Sequence, residues 1–309
     1  MRLHIIRIVL FGILLLPSIS RGQQVPNFTL YKYNRNLINP ANAASKDMSS
    51  LNLSFKSQML GVSGAPETQV LSYTQKINRE LGFGVSILND AVFIQQNTAI
   101  TADISYKLRA GRNDLLFFGL KIGTGLGSNI FTKAGAQVGD DNFDKNESFD
   151  RSQMGVGFFY QADEYFLSLS APNLLSGTIF TDNHVGSSKS ILKQVHIYAG
   201  GGYTYKIDMD YYLTSEIMVR YYDEAPIAFD LSSTLNMRNK IESGINYRFK
   251  ESISIFSTFK YRRNYVVGFA YEMFTSAEIG GVFKNPSLEL IFKYQWNINT
   301  RSKINGQGF

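Results

Sequence analysis

The sequence predicts an all-β chain: a transmembrane antiparallel β-barrel of about 14 strands behind a periplasmic N-terminal arm. Three observations predict it. Side chains alternate at period two in run after run of about ten residues. An export signal occupies the first 22 residues. No later stretch has the roughly 20 apolar residues that a membrane helix needs.

In the signal, Arg2, His4 and Arg7 precede the apolar run from Ile8 to Leu16, Pro17 ends it, and Ser20-Arg21-Gly22 offers small residues to a signal peptidase. Cleavage is expected before Gln23, which divides the chain into a signal peptide (1–22), a periplasmic arm (23–50), a barrel (51–296) and a C-terminal tail (297–309). The 31 Lys and Arg face 25 Asp and Glu; without Arg2, Arg7 and Arg21 the balance is 28 against 25. So small an excess is weak evidence for a nucleic-acid or acidic partner, and no nucleic acid is expected. The chain has no cysteine, so an exported protein of this length must be held by hydrogen bonding and packing alone.

The arm, Gln23 to Ser50, is polar and turn-rich, with Pro26 and Pro40 and no sustained period. From Leu51 the alternation hardly stops. The hairpin Gln96 to Leu126 sets the pattern. Ile100, Ile104, Leu120 and Ile122 form one face, Asp103, Lys107 and Lys121 the other, across the turn Arg109-Ala110-Gly111-Arg112-Asn113. The same alternation recurs at Leu51-Leu53-Phe55, Leu81-Phe83-Val85-Ile87 and Met154-Val156-Phe158-Tyr160. It continues through Ile227-Phe229-Leu231 to Leu288-Leu290-Phe292-Tyr294-Trp296. A soluble sandwich alternates too, but its strands centre on five or six residues. Here many runs reach ten to twelve, charges sit among Gly and Ser on the inner face, and aromatic residues gather at stripe ends, as in the girdles of outer-membrane barrels.

Fourteen is even, which puts both termini in the periplasm and the two longest connections, Gly127 to Arg151 and Pro172 to Lys193, on the outside. Ser276 to Phe283 could supply one further strand.

The mature chain opens Gln23-Gln24-Val25-Pro26-Asn27-Phe28-Thr29-Leu30-Tyr31, followed by Leu37-Ile38-Asn39-Pro40-Ala41. Three more blocks stand out. They are Phe55-Lys56-Ser57-Gln58-Met59-Leu60-Gly61 with Gly64-Ala65-Pro66, Gly82-Phe83-Gly84-Val85-Ser86-Ile87-Leu88-Asn89-Asp90, and Ser170-Ala171-Pro172-Asn173-Leu174-Leu175. Together they resemble the PorP/SprF family of outer-membrane proteins in the type IX secretion system of Bacteroidota. Met59, Val25 and Asn42-Ala43-Ala44 depart from the family's usual residues. The resemblance implies a role in exporting or retaining secreted proteins at the cell surface, often a large adhesin for gliding motility or attachment. The implied partners are type IX components in the periplasm and outer membrane, a secreted client and the lipid bilayer. The alternative function is an outer-membrane diffusion channel or small-solute transporter.

Catalysis finds no grouping of Ser, His and acid, and there is no His or Cys cluster for zinc or haem; no cofactor is expected. Of the three histidines, His4 leaves with the signal, His184 falls in an outside loop, and His196 lies on the lumen face. Gly123-Thr124-Gly125-Leu126-Gly127 lacks the Lys and the helix of a phosphate loop, and its glycines are expected to thin the inner wall. Asp140, Asn142, Asp144 and Asn146 recur every second residue as a weak Ca²⁺ candidate, without the glycine and the distal Glu of a tight calcium loop.

The lumen charges Asp103, Lys107, Lys121, Glu216, Arg220, Asp230, Glu242, Arg248, Lys260, Glu272 and Lys293 mix both signs. That mixture favours cross-strand pairs over an ion-selective lining. Function is therefore expected in partner contact. Phe28, Tyr31, Tyr33, Asn39 and Pro40 of the arm are the candidate partner-binding residues, with packing of the arm across the barrel mouth as the alternative, and the two long outside loops are the candidate client site, with mobile loops that hold no partner as the alternative.

Overall fold

The computed structural model describes residues 27–45, 48–130, 147–181, 188–190, 195–222, 225–275 and 285–297. The period-two runs become β1 (Ser49–Ser57), β2 (Glu67–Lys76), β3 (Leu81–Val92), β4 (Gln95–Arg109), β5 (Leu115–Asn129), β6 (Glu147–Gln161), β7 (Tyr165–Thr181), a short β8 (Ser188–Ser190), β9 (His196–Lys206), β10 (Tyr211–Tyr222), β11 (Ala228–Met237), β12 (Ile241–Arg248), β13 (Ser252–Tyr261), β14 (Tyr265–Phe274) and β15 (Ser287–Trp296). Every pairing is antiparallel. The sheet closes where β1 meets β15, with Ser49 opposite Trp296 and Ser57 opposite Leu288. Fourteen strands make the wall, because β8 pairs only with the far half of β7. Closure removes the unpaired strand edges that a bilayer could not solvate.

The alternation sorts the faces as the sequence predicts. Ile100, Ile104, Leu120 and Ile122 are 44–58% exposed on the outside, whereas Asp103 and Lys121, directly opposite each other in register, are 1% and 2% exposed inside. At the end carrying β1's start and β15's finish, Tyr73, Tyr265, Tyr294 and Trp296 lie with ring centroids 5.0–6.1 Å apart as an aromatic girdle. This near end is the periplasmic one in outer-membrane barrels.

Two connections differ from expectation. The stretches 127–151 and 172–193, expected as loops, are partly strand: β5 runs on to Asn129, β6 starts at Glu147, and β7 continues to Thr181. Proline lacks the N–H that a ladder needs, and the register accommodates Pro172 by a bulge. Met154 pairs with Leu175 and Val156 with Ala171, so three residues of β7 stand against Gly155 alone. A Cβ on Gly155 would come 2.3 Å from the Pro172 carbonyl oxygen, so only glycine fits opposite the bulge. Moreover, the far-end turns at residues 93–94 and 249–251 are as tight as the near-end ones. Residues 276–283, the possible extra strand, lie outside the described residues, as does the whole Ca²⁺ candidate.

Candidate functional site

The arm folds into the barrel. Residues 27–45 form a plug made of a 3-10 turn (Tyr31–Tyr33), a one-turn helix α1 (Arg35–Ile38) and a second 3-10 turn (Pro40–Ala44). Asn39 starts the last turn: its side-chain oxygen accepts from Ala41 N–H at 2.9 Å, and Pro40 brings its fixed φ to the first helical position. So short a helix is marginal by itself, and wall side chains take up many of the plug's polar groups.

The contacts descend the lumen in chain order. At the far end Lys56 Nζ donates to the Asn27 carbonyl at 2.6 Å, and the Glu289 carboxylate accepts from the backbone N–H groups of Thr29 (2.8 Å) and Leu30 (3.1 Å). In the middle, Tyr31 and Arg35 both reach Glu216, at 2.7 and 2.9 Å, and toward the near end Lys32 and Tyr33 both reach Glu242, at 2.7 and 2.6 Å. Burial and the Glu216 carboxylate push the Tyr31 phenol well above its usual range, and burial with Glu242 does the same to Tyr33, so both stay neutral donors. Asn34 bridges Ser54 and Ser72, and Asn36 donates to Ser86. Asn39 Nδ2 donates to the Phe158 carbonyl and to Ser168, both at 2.9 Å, and Ser105 donates to the Ala41 carbonyl.

Two small apolar seats fix the ends. Leu30 packs with Phe256, Ala270 and Ile291, and Ala41 with Phe117 and Phe159. Where the plug backbone passes closest, the wall has glycine. A Cβ on Gly119 would lie 2.1 Å from Ala41 N.

Around the plug the wall pairs its own charges. Glu272 takes Lys56 at 2.7 Å and Arg248 at 2.6 Å, while Asp230 takes Arg248 at 3.2 Å and Arg220 at 2.9 Å. With Lys121 and Asp103 at 2.8 Å, these pairs are at most 8% exposed. Arg35 and Lys32, which tie the plug to the wall, are 22% and 17% exposed. They form part of the roof of a near-end vestibule of about 710 Å³, also lined by Phe166, Tyr212, Asn236 and Arg238.

The structure thus gives the five candidate partner-binding residues another place. Tyr31, Tyr33, Asn39 and Pro40 face the barrel's own lumen, and Phe28 is half-buried near the far end. The described part of the arm, expected either to dock on a periplasmic component or to pack across the barrel mouth, lies within the lumen as a plug. Its first described residue sits beside Lys56 at the end opposite Trp296. The reason is polar satisfaction: a turn-rich backbone without strand partners finds them in the wall's Ser, Glu and Lys side chains. His196 is a wall residue, as expected, with Nδ1 3.0 Å from Asn173 Nδ2 and its ring edge-on to Tyr222. Among the described residues no group of three His, Cys, Asp or Glu is arranged to hold a metal. Lumen-facing Phe117, Phe159, Phe256 and Ile291 were missed as site residues. Their signal is bulky apolar side chains interrupting an otherwise small or polar row.

The family model described as "Type IX secretion system membrane protein PorP/SprF" matches residues 20–294. The chain belongs to that family. Comparison with curated proteins gives no match. Among solved structures, this PorP/SprF chain is similar in fold to the CymD monoaromatic hydrocarbon channel, at 9% identity and a TM-score of 0.51, covering 85% of this chain and 92% of that one. The Pseudomonas putida toluene transporter TodX matches at 10% identity and a TM-score of 0.47, over 86% and 94% of the two chains. A FadL homologue of Pseudomonas aeruginosa gives 10% and 0.45, over 91% and 96%. The closed, lipid-facing barrel wall and the family together place the chain in the outer membrane.

Proposed function

We propose that this PorP/SprF barrel is a sealed outer-membrane component of the type IX system, supporting export or surface retention of a secreted client such as an adhesin. Family membership supports the machinery, and the observation that carries the sealed, non-conducting role is the plug. Residues 27–45 occupy the lumen with hydrogen bonds to wall strands on every side, among them β3, β4, β7, β10, β12 and β15, and a vestibule opens below them at the near end. A barrel so occupied acts through what binds its ends rather than through what passes the middle. The near end, ringed by short turns, suits the periplasmic components, and the β5–β8 extension at the far end suits the client. Catalysis has no part in this reading.

The test is deletion in the native organism, with surface display of candidate clients and uptake of small solutes measured together. Loss of display of one client with uptake unchanged supports the proposal. Stable, solute-permeable openings of the purified protein in planar bilayers, with display intact, would support the diffusion channel instead.

A further inference from the structure

The vestibule is more than space left below the plug. Its volume, about 710 Å³, falls in the range of ligand pockets, and a smaller cleft of about 120 Å³ adjoins it, sharing Tyr33, Asn239 and Glu242. The larger space is balanced, with Lys32, Arg35 and Arg238 paired to Glu242, Glu216 and Asp210 at 2.7, 2.9 and 3.5 Å. The positive excess lies in the adjoining cleft, where Lys240, Lys260 and Lys293 face Glu242. A concave, low-dielectric wall concentrates the resulting positive potential.

The turn between β11 and β12 holds these cations at the mouth. Arg238 and Asn239 both have positive φ, 53° and 52°, and Lys240 N–H closes the turn on the Met237 carbonyl at 3.0 Å. That is the tight primed turn that suits two twisted strands. Lys260 is joined to it by its backbone N–H on the Lys240 carbonyl and its ammonium on Asn239. The neutral lining sets Thr204, Tyr212, Thr214, Thr234 and Asn236 beside the apolar Phe166 and Met209. It can therefore hydrogen-bond a peptide backbone while covering an apolar side chain.

We infer that the vestibule is a binding site for an acidic, extended polypeptide segment entering from the near end. Its carboxylates pair with Lys240 and Lys260 at the mouth and its backbone bonds to the hydroxyl and amide lining. Anionic lipid is the lesser fit, because the lining faces the lumen and the wall stands between it and the bilayer. The segment would end beside Lys32 and Arg35, so occupancy competes for the two cations that tie the plug to Glu242 and Glu216. The inference extends the proposed role by naming the chemistry of a near-end partner. Binding is read on purified protein and client display in cells, so the two can fail separately.

The experiment is fluorescence anisotropy of labelled hexaglutamate, hexalysine and a Gly/Ser hexapeptide with the full chain in uncharged nanodiscs. The expected result is saturable binding of hexaglutamate alone, weakened at least tenfold by Lys240→Glu with Lys260→Glu, and unchanged by Arg262→Glu with Arg263→Glu on the next near-end turn. Retained heat-modifiable migration of each variant shows that the barrel has folded. Equal binding of all three peptides, equal loss in both variant pairs, or displacement of hexaglutamate by phosphatidylglycerol in the nanodisc but not by unlabelled peptide would each overturn the inference.

Discussion

Asn39 of the plug and Gly157 of β6 share one narrow space: a Cβ placed on Gly157 would lie 2.0 Å from Asn39 Oδ1 and 2.9 Å from Pro40 Cδ. The glycine is what lets the last plug turn lie flat against the wall. Its neighbours across the sheet, Gly119 and the seat of Phe117 and Phe159, complete the same shelf.

Gly157→Val should therefore lift the plug without opening the barrel, since the ladder to β5 and β7 needs only the backbone. Overpacking of this kind costs about 1–3 kcal/mol, more where backbone must move. The expected outcome is trypsin cleavage at Lys32 and Arg35 in the folded variant, with the parent chain resistant. Cleavage patterns that stay the same would show that the shelf does not hold the plug.

The wall can be tested separately from the plug. Lys121 is paired with Asp103 at 2.8 Å and donates to the Asn36 carbonyl at 3.1 Å. Asp103→Ala leaves a buried ammonium with one neutral partner and should cost about 3–5 kcal/mol. Replacing both, Asp103→Leu with Lys121→Met, should cost clearly less than the single change. Urea unfolding from lipid vesicles reads both, and a double variant weaker than the single one contradicts the pairing.

How much of this was legible in the sequence differs between wall and plug. Period two placed Ile100, Ile104, Leu120 and Ile122 outside and Asp103 and Lys121 inside, because each strand carries its own pattern and the pairing is between neighbours. The mixed signs of the lumen charges pointed correctly to cross-strand pairs such as Asp103 with Lys121 and Arg220 with Asp230. The plug has no period to read. Tyr31 meets Glu216 and Thr29 meets Glu289, partners 185 and 260 residues away. Its clearest trace was indirect: Phe117 and Gly119 in one lumen row and Phe159 and Gly157 in the next, where a polar-filled barrel would need neither. The lengths of β6 and β7 were hidden by Pro172, which reads as a strand end until the bulge opposite Gly155 is seen.

The outward face yields a graded prediction. Leu120, 58% exposed near the middle of its strand, should tolerate Arg at a cost of about 2–4 kcal/mol, whereas Tyr106→Arg near the close of β4 should cost about 0–1 kcal/mol. Refolding into vesicles with a denaturant titration measures the difference. Equal costs at the two sites would mean that the bilayer midplane does not cross Leu120.

The two plug phenols allow a test by pH. Tyr31 and Tyr33 donate to Glu216 and Glu242, and burial beside those carboxylates raises both groups above the ordinary tyrosine range. A raised folded value means that the neutral phenol is the form the fold prefers. Its contribution is thus fully present below about pH 10, where unfolded tyrosine begins to ionise, and is lost as the pH rises beyond that. Plug retention, followed by protection of Lys32 from trypsin after brief exposure, should hold to about pH 10 and fall above it. Tyr31→Phe with Tyr33→Phe removes the titrating groups, so the double variant should start with a weaker plug and show a flatter decline over the same alkaline window. Absorbance at 295 nm gives an independent reading: these two residues should ionise only as protection is lost. A parent chain and a double variant with the same alkaline profile would place the transition on other groups, and the two phenols would then serve as ordinary packing in the lumen.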